Sequence, residues 1–120
     1  MGPAYLSDVV GMDTSQHVEE VLAEGYPDRM SQEGTSSLDV MVENGRLGQK
    51  SGAGYYKYEK DKKGRPKKTL DDKAYELVAS VQKDGQKDFD ADEIVDRMMI
   101  PMIIEAARAL EEGIAETPNE

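Results

Sequence analysis

The order of residues predicts a mainly α-helical chain with one small β-hairpin, and three observations carry that prediction. Apolar residues recur at helical spacing along most of the chain, in segments opened by a proline or a capping side chain. Strand character is confined to residues 55 to 69. Between these lies GRLGQKSGAGYYKY, residues 45 to 58, where Gly45, Gly48, Gly52 and Gly54 stand too close together for an ordinary helix or strand. The backbone there must turn tightly and visit positive φ.

The elements follow in order. Gly2-Pro3 reads as a helix entry, because proline is tolerated where its missing N–H would be unpaired anyway. Tyr5, Leu6, Val9 and Val10 form an apolar stripe, and Gly11 ends the helix. Asp13 with Gln16 makes a capping box for a second helix with Val18, Val21 and Leu22 facing inward, stopped by Gly25. Residues 26 to 36, YPDRMSQEGTS, read as a surface loop. Ser36 or Ser37 caps a third helix with Leu38, Met41 and Val42 inward, ended by Asn44-Gly45. Tyr55 to Glu59 and Arg65 to Thr69 pair as a hairpin around DKKG. Asp71 or Asp72 opens a fourth helix with Ala74, Leu77, Val78 and Val81 inward, and residues 82 to 87, QKDGQK, read as a linker. Asp90 and Glu93 form a capping box for a last helix reaching about Gly113, with Phe89 and Ile94 placed as a hydrophobic staple. Its broad apolar surface runs from Ile94 to Ile114, and Pro101 predicts a kink.

Composition narrows the function. At 120 residues, with 38% hydrophobic content and a mean hydropathy of −0.70, the chain builds only a modest core, as a fragment would. Seven methionines against one phenylalanine and no tryptophan imply helix contacts filled by flexible thioethers. Without cysteine there is no disulfide or thiolate chemistry, which suits a reducing compartment. No stretch approaches the ~18 apolar residues of a membrane span and no signal peptide is recognisable, so a soluble, cytoplasmic protein without stable membrane insertion is expected. Net charge is −10, yet KYEKDKKGRPKK, residues 57 to 68, holds seven of the fifteen basic residues and only two acids. On an acidic chain this reads as the solvated tip of a hairpin, with no nucleic-acid partner expected. His17 is the one histidine and, with no cysteine beside it, reads as a partly exposed packing residue; no metal site is expected.

The spacing G-x-K-S/T-G-x-G-aromatic-aromatic, met here as GQKSGAGYY, resembles the closing segment of the C-terminal domain of 3-hydroxyacyl-CoA dehydrogenases, and MGPAYLSDVVGMDT resembles the same domain further upstream. IVDRMMIPMIIEA, residues 94 to 106, resembles the long helix that opens that domain, yet it follows the closing segment. The resemblance therefore implies tandem copies, as in the multifunctional fatty-acid oxidation complex α subunit. Residues 1–58 would end a first copy, 59–88 would hold a hairpin, short helix and linker, and 89–120 would open a second, degenerate copy. Asp96 stands where the catalytic copy has a substrate-contacting asparagine, so that role is not carried over. The implied fold is that of a helical, 6-phosphogluconate-dehydrogenase-C-terminal-like domain fragment.

The resemblance also implies the chemistry of a parent enzyme: NAD-dependent oxidation of an L-3-hydroxyacyl-CoA, in which a histidine takes the hydroxyl proton and hydride passes to NAD. The nucleotide-binding fold and the catalytic His-Glu pair of the family lie upstream of the segment matched here, so no catalytic residue is assigned and the isolated chain is expected to be inactive. GQKSGAG is not a phosphate loop, since its lysine and serine precede the later glycines. The one residue carried over is Lys50, whose counterpart reaches toward NAD. A surface lysine beside a turn is the competing reading, and the sequence leaves both open. The implied partners are an acyl-CoA substrate and a thiolase β subunit in the parent complex, with self-association of the fragment through its last helix. A small acidic helical interaction module, in which that helix binds a partner, is the alternative.

Overall fold

The computed structural model describes residues 1–83, 85 and 87–118. The chain divides into two units, Met1–Gly85 and Gln86–Glu120. The first holds α1 (Pro3–Val10), α2 (Met12–Gly25), α3 (Pro27–Met30), α4 (Ser37–Glu43), a 3-10 turn (Gln49–Ser51), β1 (Lys57–Lys60), β2 (Pro66–Thr69) and α5 (Asp72–Ala79). The second holds α6 (Ala91–Glu111). The fold is mainly α with one small antiparallel hairpin, as the sequence predicts.

Local chemistry sets most boundaries. Pro3 occupies the first turn of α1. Ser36 caps α4 reciprocally with Asp39, Asp71 caps α5 through the Lys73 N–H, and the Asp90 carboxylate accepts the Glu93 N–H at 2.7 Å to start α6. α6 runs through Pro101. Arg97 lies 5.3 Å from the centre of the Phe89 ring, the residue expected to act as a staple. The linker expected at 82 to 87 includes Asp84 and Gln86, which lie outside the described residues.

Three expectations about local structure are corrected first. Residues 27 to 30 form α3 instead of loop, because Pro27 sits in the first turn, where its fixed φ suits a helix. Asp13 and Gln16 make no capping box: α2 begins at Met12 directly after Gly11, whose φ of 107° turns the chain between α1 and α2. The Gln16 amide instead donates to Asp39 at 2.7 Å, joining α2 to the cap of α4. The hairpin begins two residues late, because the Tyr55 and Tyr56 N–H groups bond a side chain and not a strand. Its register pairs Lys57 with Thr69, Tyr58 with Lys68, Glu59 with Lys67 and Lys60 with Pro66.

The core of the first unit is small. Met12 of α2, Met41 of α4 and Ala74 of α5 form its centre, with Leu38, Val42, Tyr55 and Val78 packed around it. α4 lies between α2 and α5, and α1 packs on α2. The expected inward face of α2 is open instead: Val18, Val21 and Leu22 are 51%, 53% and 40% exposed, whereas Met12 is fully buried. On α1 the apolar residues Leu6, Val9 and Val10 are exposed and the buried side chain is Asp8. No residue of α6 is buried. Among the described residues no helix is long and apolar enough to cross a membrane.

Candidate functional site

The glycine-rich stretch folds into a double turn. Gly45 ends α4 at φ 68°, and Gly48 and Gly52, at φ 89° and 80°, bracket the 3-10 turn that carries Lys50. Gly48 and Gly54 are needed for a second reason, close approach. A Cβ on Gly48 would overlap the backbone carbonyl of Asp8, and one on Gly54 would overlap the Asp8 carboxylate.

Asp8 is the bolt of this arrangement. Its carboxylate, 1% exposed, accepts the Tyr55 N–H at 2.8 Å, the Tyr56 N–H at 2.9 Å and the Tyr58 hydroxyl at 2.7 Å. Three donors converging on one carboxylate use most of its acceptor capacity and join α1 to the end of the turn. Burial, and then the hydrogen bond to Asp8, push the Tyr58 phenol well above its ordinary value. Burial likewise raises Tyr55, whose hydroxyl is 2.6 Å from that of Ser37.

A second tie lies on the other side of the turn. The Arg46 guanidinium, 7% exposed, donates through Nε and Nη2 to the Gly54 carbonyl at 2.9 and 2.7 Å. Its Nη2 also donates to Asp71 at 2.6 Å, which joins the turn to the cap of α5. That guanidinium holds the Asp71 carboxyl below the usual range. The turn is thus clamped between α1 and α5 by two buried or nearly buried polar side chains.

Lys50 projects from the clamped turn onto the start of α2. Its ammonium donates to both oxygens of Asp13, at 2.5 and 2.6 Å, with both side chains about half exposed, and this contact lowers the Asp13 carboxyl. On the other side Lys50 borders an open groove of about 410 Å³ between the 3-10 turn and the hairpin, where Gly52, Tyr58 and Lys60 also lie. The arrangement can present one ammonium, held in place by a carboxylate, to an anionic group entering the groove.

Other residues singled out in the sequence lie away from this turn. His17 is exposed on α2, 3.5 Å from Glu20, and not packed against an apolar face as expected. Among the described residues no group of three or more His, Cys, Asp or Glu could hold a metal ion. Asp96 is exposed on α6 in the second unit. Asp8, Asp13 and Arg46 were not singled out as site residues, although a carboxylate set among the apolar residues of a short helix, as in YLSDVV, is the signal that marks Asp8.

Residues 1–58 match the model of the family described as 3-hydroxyacyl-CoA dehydrogenase, C-terminal domain, so the resemblance read from GQKSGAGYY and MGPAYLSDVVGMDT is borne out over that stretch. Among solved structures, the dehydrogenase part of multifunctional enzyme 1 from C. elegans is similar, with 28% identity and a TM-score of 0.66 over 96% of this chain and 24% of that one. The chain spans about a quarter of that protein's length.

Proposed function

We propose that this chain is the C-terminal-domain region of an NAD-dependent L-3-hydroxyacyl-CoA dehydrogenase acting in fatty-acid β-oxidation, of the multifunctional α-subunit type. The observation that carries the reading is the clamped turn within the family-matched residues 1–58, followed by a helix whose sequence resembles the start of the same domain. In this reading residues 1–58 close one copy, 59–88 connect, and 89–120 open a second, structural copy. The parent acts on an acyl-CoA and assembles with a thiolase β subunit.

NAD supplies the hydride acceptor when bound in the parent. The contribution of this chain is positional. Asp8 and Arg46 fix the turn, the turn fixes the Lys50 backbone, and Asp13 keeps the ammonium extended until an anionic or hydroxyl group of the cofactor shares it. The chain alone, whose one histidine, His17, is exposed on α2 beside Glu20 and away from the turn, is not expected to turn over substrate.

The test uses the parent reading frame and the chain itself, with L-3-hydroxybutyryl-CoA and NAD. The parent is expected to reduce NAD, the chain is not, and Lys50→Ala in the parent should weaken NAD binding roughly tenfold with little change in melting temperature. Turnover by the chain alone, or a parent without dehydrogenase activity, would overturn the reading. Unchanged NAD affinity in Lys50→Ala would leave Lys50 a turn residue tied to Asp13.

A further inference from the structure

The basic hairpin lies almost wholly beyond the family-matched residues, and the site described above uses little of it. Its seven cations are not equivalent. Arg65 pairs with Asp61 at 3.0 Å and Lys57 lies 4.0 Å from Glu59, so both acids of the segment are already engaged. The Lys68 ammonium sits 4.3 and 4.4 Å from the ring centres of Tyr5 and Tyr56, which pins the root of β2 to α1 and to the clamped turn. Lys60, Lys62, Lys63 and Lys67 are exposed and have no ion-pair partner among the described residues.

The tip is also built to stay in one shape. Asp61 accepts the backbone N–H groups of Lys63 and Arg65 at 2.8 and 2.9 Å and the Arg65 side chain at 3.0 Å, while Gly64 takes φ 76°. Four unpaired ammonium groups are thus held on a pinned, pre-shaped ribbon. We infer that this hairpin tip is a docking element for an acidic cleft on a protein partner, recognised through Lys60, Lys62, Lys63 and Lys67.

Register and charge favour that occupant. Opposed residues of a hairpin share a face, so Lys60, level with Pro66, lies on the Tyr58 and Lys68 face, whereas Lys67, level with Glu59, lies on the other. Lys62 and Lys63 fall in the turn between the strands. Cations on both faces and at the end suit a concave acidic surface that surrounds the ribbon; a flat lipid surface could meet only one face. The tip DKKG also lacks any apolar side chain to insert into lipid. Outside residues 57 to 68 the chain carries 8 basic and 23 acidic side chains, so a long polyanion such as nucleic acid would run from the tip into repulsion. A local acidic cleft would not, because screening limits each charge to about 8 Å at physiological salt.

The test measures binding of the native chain to a labelled oligo-glutamate peptide, to mixed phosphatidylcholine and phosphatidylserine vesicles, and to a DNA duplex. The comparison variants are the quadruple Lys60→Gln, Lys62→Gln, Lys63→Gln, Lys67→Gln chain and a Lys73→Gln, Lys83→Gln control. The peptide should bind most tightly, binding should fade as salt rises toward ~1 M, and the quadruple variant should lose at least about tenfold while the control keeps its affinity. Circular dichroism of each variant establishes that the fold is retained. Failure of the native chain to bind the peptide, equal binding by the quadruple variant, or tighter binding of vesicles or duplex would each overturn the inference.

Discussion

Replacing Asp8 by alanine should unfold the first unit more readily than any other single polar substitution in the chain. The carboxylate is 1% exposed and receives three donors, two from the backbone of the turn and one from Tyr58. Each buried donor left without a partner costs ~1–3 kcal/mol. The Tyr58 hydroxyl can turn, and the two N–H groups are partly buried, so the three losses do not add in full. A net cost of about 3–5 kcal/mol follows. A domain of this size has a total stability of ~5–15 kcal/mol, and 1 kcal/mol moves its melting temperature by ~4–8 °C, so a drop of roughly 15 °C or more is expected.

Urea and thermal unfolding followed by circular dichroism measure the effect. Asp8→Asn separates geometry from charge, because it keeps the shape and one acceptor oxygen but turns an amide N–H toward groups that are themselves donors. It should fall between native and Asp8→Ala. A loss below about 1 kcal/mol in Asp8→Ala would show that the turn holds without the carboxylate.

Gly54→Ala, whose Cβ meets the Asp8 carboxylate and Gly48 Cα, should destabilise by more than about 3 kcal/mol, whereas Gly64→Ala, with open space and only its φ of 76° against it, should cost about 1 kcal/mol; equal costs in urea unfolding would contradict the geometry. The raised Tyr58 phenol sets an alkaline limit. Below about pH 10 both states hold the proton, and above it the unfolded chain releases the proton that the folded chain keeps, so stability should fall as pH climbs from 10 toward the folded value. Tyr58→Phe should flatten that decline, and an unchanged slope in urea midpoints would sink the assignment. Met98, Ile100, Met102 and Ile103 are 47–61% exposed on α6, so the chain should self-associate with concentration in sedimentation, and Ile103→Glu should shift it toward monomer. A clean monomer at high concentration would argue against this.

The helix starts at Ser36, Asp71 and Asp90 were legible because a cap bonds residues two or three places along the chain. The same pattern misled at Asp13 and Gln16. Their polar groups serve Lys50 and Asp39, which lie 37 and 23 residues away, and nothing local distinguishes those uses. Periodicity marked the apolar faces of α1, α2 and α6 correctly but carries no information on what covers them. Val18, Val21 and Leu22 therefore read as an inward face and stand exposed.

The candidate site shows the same division between local and distant causes. Clustered glycines announce a turn, and the positive φ at Gly45, Gly48 and Gly52 was foreseeable from them. Gly54 does not need a positive φ; it needs the absence of a Cβ where Asp8, 46 residues earlier, enters the turn. Only the partner explains the glycine, and only the fold supplies the partner. Lys50 stands on a turn tied to two helices by Asp8 and Arg46, with its ammonium held by both oxygens of Asp13, an arrangement that suits a turn lysine and a ligand-facing lysine alike. A half-exposed ion pair contributes little to stability, so the melting temperature of Lys50→Ala should stay close to native under either reading, and NAD affinity in the parent is the measurement that separates them.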